Sequence, residues 1–137
     1  MAPTLKYFNI GGRADMIRIA LHHSGIAWSD HRFTSMPEWE VAKERIPGKA
    51  VPAMDIEGKT YTQSNALLRW AGKKAIPPLY PEDDLKALRC DEIMDVCQDV
   101  LTQCPKDKDE EVSFLFLCLD LISLPPPPSF SLYLCCF

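Results

Sequence analysis

The chain has 137 residues, of which 47% are hydrophobic and 25% are charged, a balance that excludes fibrous and globally disordered classes. Its length allows one ordinary domain, or a small domain with part of a second, but not two complete domains. The formal net charge is −4 with no basic run, so the charge pattern does not indicate a nucleic-acid partner.

Eight segments have the pattern of a strand or a helix. β-Branched and aromatic residues mark the strands, and apolar residues at helical spacing mark the helices. Gly25 stands where the first helix is expected to end, and Pro37 lies in the first turn of the second helix. In chain order we expect strand 4–10, helix 13–24, strand 28–33, helix 37–45, strands 51–56 and 59–62, helix 64–74 and helix 82–103.

The order of the first seven elements, βαβαββα, predicts an α/β domain with the thioredoxin-like layout. Glu57-Gly58 suits the turn of a hairpin between the last two strands. Pro52 lies at the start of a strand, but it has no N–H group that could donate a hydrogen bond to a neighbouring strand. A cis Val51-Pro52 bond would let Val51 offer its N–H and C=O to an extended ligand, whereas a trans proline on an edge strand is the alternative.

The cysteines are confined to the later part of the chain. The spacing of the first three places them on one helix face, which favours core thiols over a metal site. No apolar segment typical of a secretory signal occurs at the N-terminus, so we expect reduced thiols and a cytoplasmic location. The six cysteines are Cys90, Cys97, Cys104, Cys118, Cys135 and Cys136.

The chain changes character after residue 76. The helix 82–103 has an apolar face and an acidic face, so it needs a partner surface. Beyond residue 111 no period is visible, and four consecutive prolines at 125–128 exclude a membrane-spanning helix. The predicted organisation is a domain at 1–76, a linker with the first helix of an incomplete all-α domain at 77–111, and a tail at 112–137.

The tail 112–137 is expected to be disordered or artefactual. Val112-Ser113 can be encoded by the usual start of an intron, and the Phe, Leu, Ser and Pro residues that follow are what pyrimidine-rich DNA encodes. A translated intron is therefore one explanation for the break in pattern.

Several short motifs occur in the order and spacing of one known family. They are Tyr7-Phe8, Gly12-Arg13-Ala14, Trp39 with Lys43, Val51-Pro52, Gln63-Ser64 and Arg69-Trp70. In combination they resemble the N-terminal domain of soluble glutathione S-transferases, and the chain is most similar to the sigma-like, tyrosine-using class. The resemblance covers residues 4–105 and implies that the Val51-Pro52 bond is cis.

The resemblance implies a glutathione transferase that conjugates the thiolate of glutathione to a small hydrophobic electrophile in detoxification. Glutathione would be the cosubstrate, with no metal and no nucleotide. A homodimer is implied for the full-length protein, without nucleic-acid or membrane partners. The alternative is a glutathione-binding or structural module of the same family that lacks transferase activity because most of the helical domain is missing.

Tyr7 and Arg13 are the catalytic residues that the resemblance implies. The Tyr7 hydroxyl would donate a hydrogen bond to the glutathione sulfur, whose free thiol has a pKa of about 8.5. Arg13, at the start of the first helix, would add positive potential. From the residues alone, Tyr7 is also compatible with a half-buried strand aromatic.

The remaining glutathione contacts are also implied by the resemblance. Gln63 and Ser64 would hold the γ-glutamyl group at a helix N-terminus, and the Val51 backbone would pair with the cysteinyl moiety. Trp39 and Lys43 would reach the glycine carboxylate. Asp99 would reach the glutathione amine across a dimer interface, and Phe8 and Pro52 complete the set.

Each of these residues also has a structural interpretation. Ser64 could be an N-cap, Trp39 a packed side chain beside a solvated Lys43, and Asp99 an exposed helix acid. Ala50, with Lys49 before it, departs from the family pattern and leaves one contact to the glycine end open.

Three other chemistries are excluded by the residues after the first strand. A thiol-disulfide oxidoreductase has the right fold but needs a cysteine there, and the segment 7–15 has none. The same segment has no serine, so cysteine-using and serine-using transferase variants are excluded as well.

Overall fold

The structure is a computed structural model that describes residues 1–103. Its order of elements confirms the predicted α/β architecture, and the predicted tail and Cys104 onwards lie outside the described residues. The elements are β1 (Thr4–Phe8), α1 (Asp15–Ser24), β2 (Ser29–Phe33), α2 (Met36–Lys43), a 3₁₀ turn (Pro47–Lys49), β3 (Ala53–Ile56), β4 (Lys59–Thr62), α3 (Ser64–Lys74) and α4 (Asp84–Gln103).

The four strands form one mixed sheet in the order β2-β1-β3-β4. β1 pairs with β2 in parallel, whereas β3 is antiparallel to both β1 and β4. The carboxyl ends of β1, β2 and β4 therefore share one edge with the amino end of β3. We call this edge, with the residues that follow Phe8, Phe33 and Thr62 and those that precede Ala53, the carboxyl edge.

Buried side chains cover both faces of the sheet, because alternate residues of a strand point to opposite faces. Met54 belongs to a cluster with residues of α1 and α3, and its neighbour Ala53 belongs to a cluster with Trp39 of α2. The largest fully buried side chains are those of Leu5, Ile17, Leu21, Met54 and Leu67. Helices α1 and α3 thus pack on one face and α2 on the other.

Helix α1 begins two residues later than the sequence predicts. Gly12 has φ 137°, outside the helical region, and its carbonyl accepts from the Asp15 N–H at 2.9 Å. Residues 11–14 therefore form a turn between β1 and α1. The helix ends as expected, with Gly25 in the left-handed conformation at φ 70°.

The predicted N-cap of α3 is wrong by one residue. Gln63 occupies the cap position with φ 78°, and its carbonyl accepts the first helical bond from the Leu67 N–H at 3.0 Å. Ser64 is therefore the first residue inside the helix. The Val51-Pro52 bond is cis, as expected, and a second cis bond, Ile76-Pro77, was not predicted.

Contacts divide the chain into two units, Met1–Ala87 and a second that begins at Leu88. The described part of the second unit is the remainder of α4, where Cys90 and Cys97 are half-buried. Burial and the neighbouring charge of Asp91 raise the pKa of the Cys90 thiol.

Within residues 1–103, no helix has the length and apolar character needed to cross a membrane. The domain boundary at residue 76 stays a prediction.

A polar contact links β1, β3 and β4. The Asp55 carboxylate lies 2.6 Å from Lys6 Nζ and accepts from Thr60 Oγ1 at 2.7 Å. Burial opposes ionisation of this carboxyl, but the hydrogen bonds from Lys6 and Thr60 and the charge of Lys6 outweigh it and lower the pKa of Asp55. The ionised carboxylate thus stabilises the folded state above its unfolded pKa of about 3.9, and this stabilisation is lost as the pH falls through the folded value.

We expect Asp55→Asn to lower the free energy of unfolding at pH 7 by no more than about 1 kcal/mol, since the pair is partly exposed. The variant should also lose less stability than the parent chain between about pH 4 and pH 2. Urea unfolding at a series of pH values measures both effects. Glu44→Gln, which removes the exposed pair with Lys49, is the control and should follow the parent. Parallel acid destabilisation of Asp55→Asn and the parent would contradict the assignment.

Candidate functional site

The carboxyl edge brings together most of the residues that the sequence singles out. Because β1 and β4 end there and β3 begins there, the flanking segments meet even though they are far apart in the chain. The predicted site residues placed at this edge are Tyr7, Phe8, Arg13, Val51, Pro52, Gln63 and Ser64.

Tyr7 is packed in the core near the end of β1. Its side chain is 9% exposed and belongs to the core cluster with residues of α1 and α3. The hydroxyl oxygen lies beside the turn before α1, where a Cβ atom on Gly12 would come within 3.1 Å of it. Glycine at this position therefore lets the main chain pass close to the Tyr7 hydroxyl.

Two charged residues of α1 connect this turn to the sheet. The Gly12 N–H donates to Asp15 Oδ2 at 2.7 Å, and Arg18 Nη1 donates to Asp15 Oδ1 at 2.7 Å. Arg18 also binds Asp30 of β2 through Nε at 3.1 Å, and its Cζ lies 5.7 Å from the centre of the Tyr7 ring. Neither residue was predicted from the sequence to belong to the site, although the i,i+3 spacing of Asp15 and Arg18 is a recognisable signal.

Arg13 lies in the turn rather than in the first helix. It is exposed and stands two residues before Asp15, where α1 begins. The expectation of a helical position is therefore corrected, because the conformation of Gly12 delays the helix. The turn still places Arg13 at the carboxyl edge, next in sequence to the glycine beside the Tyr7 hydroxyl.

Trp39 is mainly a core residue. Its ring lies 5.3 Å from the rings of both Phe8 and Phe33, and the residue is 9% exposed. Lys43, at the end of α2, forms an ion pair with Glu40. Both residues therefore have the surroundings expected for a structural role. The Trp39 indole is packed in the core, and Lys43 is a surface lysine paired with a neighbouring acid.

The Val51 backbone lies between the 3₁₀ turn and β3. Within the described part of the chain, its N–H and C=O make no hydrogen bond with another backbone group. Its side chain packs against both core clusters, so the segment is fixed while its polar groups are left for another partner. Lys49, close by in sequence, is paired with Glu44 at 2.7 Å.

Gln63 and Ser64 form the junction between β4 and α3. Gln63 has φ 78° and ψ 113°, a conformation that costs a non-glycine residue on the order of 1–3 kcal/mol and occurs most often at functional sites. The Gln63 side chain makes no capping hydrogen bond to this helix terminus. The first N–H groups of α3 and the positive end of its dipole are therefore suited to an anion.

Asp99 is an exposed residue of α4 in the second unit. Its predicted contact with glutathione is a contact across a dimer interface and stays a prediction. In the described residues, no group of three or more His, Cys, Asp or Glu side chains is arranged to hold a metal ion.

The contact between Gly12 and Tyr7 predicts the effect of a single methyl group. Gly12→Ala should lower the free energy of unfolding by about 1–3 kcal/mol, because alanine is strained at φ 137° and its Cβ would crowd the Tyr7 hydroxyl. Gly58→Ala is the control: its φ of 80° is also positive, but nothing lies within 4 Å of the added methyl. Urea unfolding compares the two, and an equal or smaller loss for Gly12→Ala would show that the turn does not hold this contact.

The chain is similar in sequence or structure to prostaglandin D synthases, an S-crystallin and glutathione S-transferases. Hematopoietic prostaglandin D synthase of Mus musculus is 30% identical over 109 residues, which are 79% of this chain and 53% of that protein. S-crystallin SL20-1 of Nototodarus sloanii is 29% identical over 99 residues, 72% of this chain and 43% of that protein. The structure of a Nu-class GST from Haemonchus contortus has a TM-score of 0.68 at 27% identity, covering 76% of this chain and 50% of the other.

No family model matches the chain. The chain spans about half the length of the curated relatives it matches. The four-stranded unit corresponds in fold to the thioredoxin-like N-terminal domain of glutathione S-transferases. These similarities identify the chain as a homologue of the glutathione S-transferase family, in agreement with the sigma-like class.

Proposed function

We propose that the carboxyl edge binds glutathione and ionises its thiol, so that the thiolate can attack an electrophile. The observation that carries this proposal is the position of Tyr7. Its ring is buried in the core, and its hydroxyl lies at the edge beside the Gly12 main chain. A buried ring with its hydroxyl at an edge can direct a hydrogen bond at a bound sulfur without losing conformational freedom on binding.

The proposed chemistry needs preferential stabilisation of the thiolate. Lowering the thiol pKa by one unit requires about 1.4 kcal/mol, and a hydrogen bond to a charged group contributes about 1.5–3 kcal/mol. The Tyr7 hydroxyl supplies that bond, and the positive charge of Arg13 on the adjoining turn adds to it. The thiol proton leaves to solvent, the sulfur forms a C–S bond, and the leaving group departs with its electron pair.

The tripeptide would lie along the edge from α3 to α2. In this arrangement Gln63 and Ser64 hold the γ-glutamyl carboxylate at the start of α3, because the Gln63 side chain does not cap the helix and the positive end of the dipole faces the ligand. The free N–H and C=O of Val51 pair with the cysteinyl residue in the manner of an added strand. Phe8 and Pro52 shape the floor of the site beneath the peptide.

The glycine end is assigned to Trp39 and Lys43, which lie on α2. The indole is largely buried, so only its rim could contact a ligand, and Lys43 would have to exchange Glu40 for the glycine carboxylate. Asp99 completes the assignment by accepting from the glutathione amine in a homodimer. Glutathione is the cosubstrate in this proposal, and the cellular location is cytoplasmic.

The names of the relatives support a transferase, for which we propose a small hydrophobic electrophile as the substrate. One is called a prostaglandin D synthase and another is described as a GST. A glutathione-binding or structural module without turnover is the second candidate, and the similarity to an S-crystallin favours it. Calorimetric titration with glutathione, followed by an assay with a generic aryl halide, separates the two. Binding without turnover would favour a glutathione-binding module, whereas absence of binding would refute the transferase and leave only the structural module.

Tyr7→Phe tests the assignment of the activating residue. We expect the dissociation constant of glutathione to stay within about threefold, while kcat falls about tenfold or more, since the lost bond acts on the thiolate. Tyr61→Phe on β4 is the control, because that side chain is 48% exposed and lies outside the proposed site. An unchanged kcat in Tyr7→Phe would remove this residue from the mechanism.

A further inference from the structure

We infer that Asp15 and Arg18 are positioning residues for the thiolate site. They fix the turn that carries Gly12 and Arg13 against the Tyr7 hydroxyl, so that both stabilising groups keep one geometry. The inference rests on the proposed function, because it concerns how the same site lowers the thiol pKa of bound glutathione.

Asp15 is the link between the turn and α1. One carboxylate oxygen accepts from the Gly12 N–H at 2.7 Å, and the other accepts from Arg18 Nη1 at 2.7 Å. The Asp15 N–H also donates to the Gly12 carbonyl at 2.9 Å. Gly12 is therefore held at both of its polar backbone groups by the same residue.

Arg18 connects Asp15 to the sheet. Its guanidinium binds Asp30 of β2 through Nε at 3.1 Å and Nη2 at 3.5 Å, and Nη2 also approaches the Phe8 carbonyl of β1 at 3.5 Å. The side chain is 12% exposed, and its Cζ lies 5.7 Å from the Tyr7 ring centre. Arg18 therefore fixes the position of the turn relative to β1, the strand that carries Tyr7.

Positioning and simple electrostatics make opposite predictions for Asp15. Removing a carboxylate near the site lowers the thiol pKa if only charge matters, because a negative charge disfavours a nearby thiolate. Releasing the turn raises the thiol pKa, because the main chain beside the Tyr7 hydroxyl and the Arg13 charge lose their fixed positions. The sign of the change therefore distinguishes the two explanations.

The test measures the thiol pKa of glutathione bound to the full chain, from the ultraviolet absorbance of the thiolate as a function of pH. We expect Asp15→Ala to raise this pKa by about one unit, a tenfold loss of thiolate below the pKa. Asp15→Asn keeps an oxygen that can accept from the Gly12 N–H, so it should recover at least half of the loss. Arg32→Met is the matched control, because Arg32 binds Asp30 at 2.7 Å from an exposed position and makes no contact with Asp15.

Arg18→Lys gives a second, charge-conserving test. One ammonium group cannot reproduce the fork that binds Asp15 and Asp30 together, so the thiol pKa should rise although the charge is retained. This variant decides the question if the circular dichroism of Asp15→Ala shows that it does not fold.

The outcomes separate the inference from the proposed function. A parent chain that binds no glutathione, or leaves its thiol pKa at the free value, would refute the proposed function. A parent chain that lowers the thiol pKa, with Asp15→Ala unchanged or lower still, would overturn the inference alone. Asp15→Asn as impaired as Asp15→Ala would also overturn it, because the contact with Gly12 would then not be the feature that matters.

Discussion

Strand direction is the constraint on which the rest of this structure depends. β1 runs parallel to β2, and a parallel pair needs a crossover, which α1 supplies between them. The crossover must leave from the end of β1, so the start of α1 lies at the carboxyl edge. The two antiparallel pairings of β3 then bring the end of β4 and the start of α3 to the same edge. The N-terminus of α2, which follows β2, lies there as well, and the start of α3, where the Gln63 side chain forms no cap, favours a negatively charged ligand.

Side chains along β1 point alternately to the two faces of the sheet, and this alternation determines which atoms at the carboxyl edge are fixed by packing. Leu5 and Tyr7 share one face of the strand and are buried together against α1 and α3. Phe8 points to the opposite face and packs against Phe33 and Trp39. The last two residues of a five-residue strand thus anchor it on both sides of the sheet. A hydroxyl attached to such an element is more precisely placed than one on a loop.

Much of the fold was predictable, because each element has a local signal. The hydrophobic periods, Gly25 and the Glu57-Gly58 turn define the helices and the hairpin, and the structure has them within a few residues. The start of α1 was not predictable from these signals, since it depends on the conformation of Gly12. Nothing in the local sequence of Gln63 indicates a positive φ; that conformation comes from the junction of β4 with α3.

The predictable part of the site follows the same division. Tyr7 and Val51 could be identified because the family motifs contain them, and topology then places both at one edge. The burial of Trp39 could not be deduced, since it requires Phe8 and Phe33 from two other elements. The ion pair of Asp30 could not be predicted either, because its partner Arg18 is 12 residues away along the chain and the two meet only when β2 pairs with β1.

The cost of burying charge is the remaining argument for a geometric role of Arg18. Its side chain is 12% exposed and that of Asp30 is 19% exposed, so both groups lose much of their hydration. The free energy of attraction within such a pair roughly offsets the free energy lost by desolvation. Apolar residues of similar volume often stabilise a protein as well or better. What apolar residues cannot supply is direction. A planar guanidinium with several fixed donors holds Asp15, Asp30 and the Phe8 carbonyl in one arrangement. Because Asp15 binds Gly12, this arrangement also fixes the turn beside Tyr7.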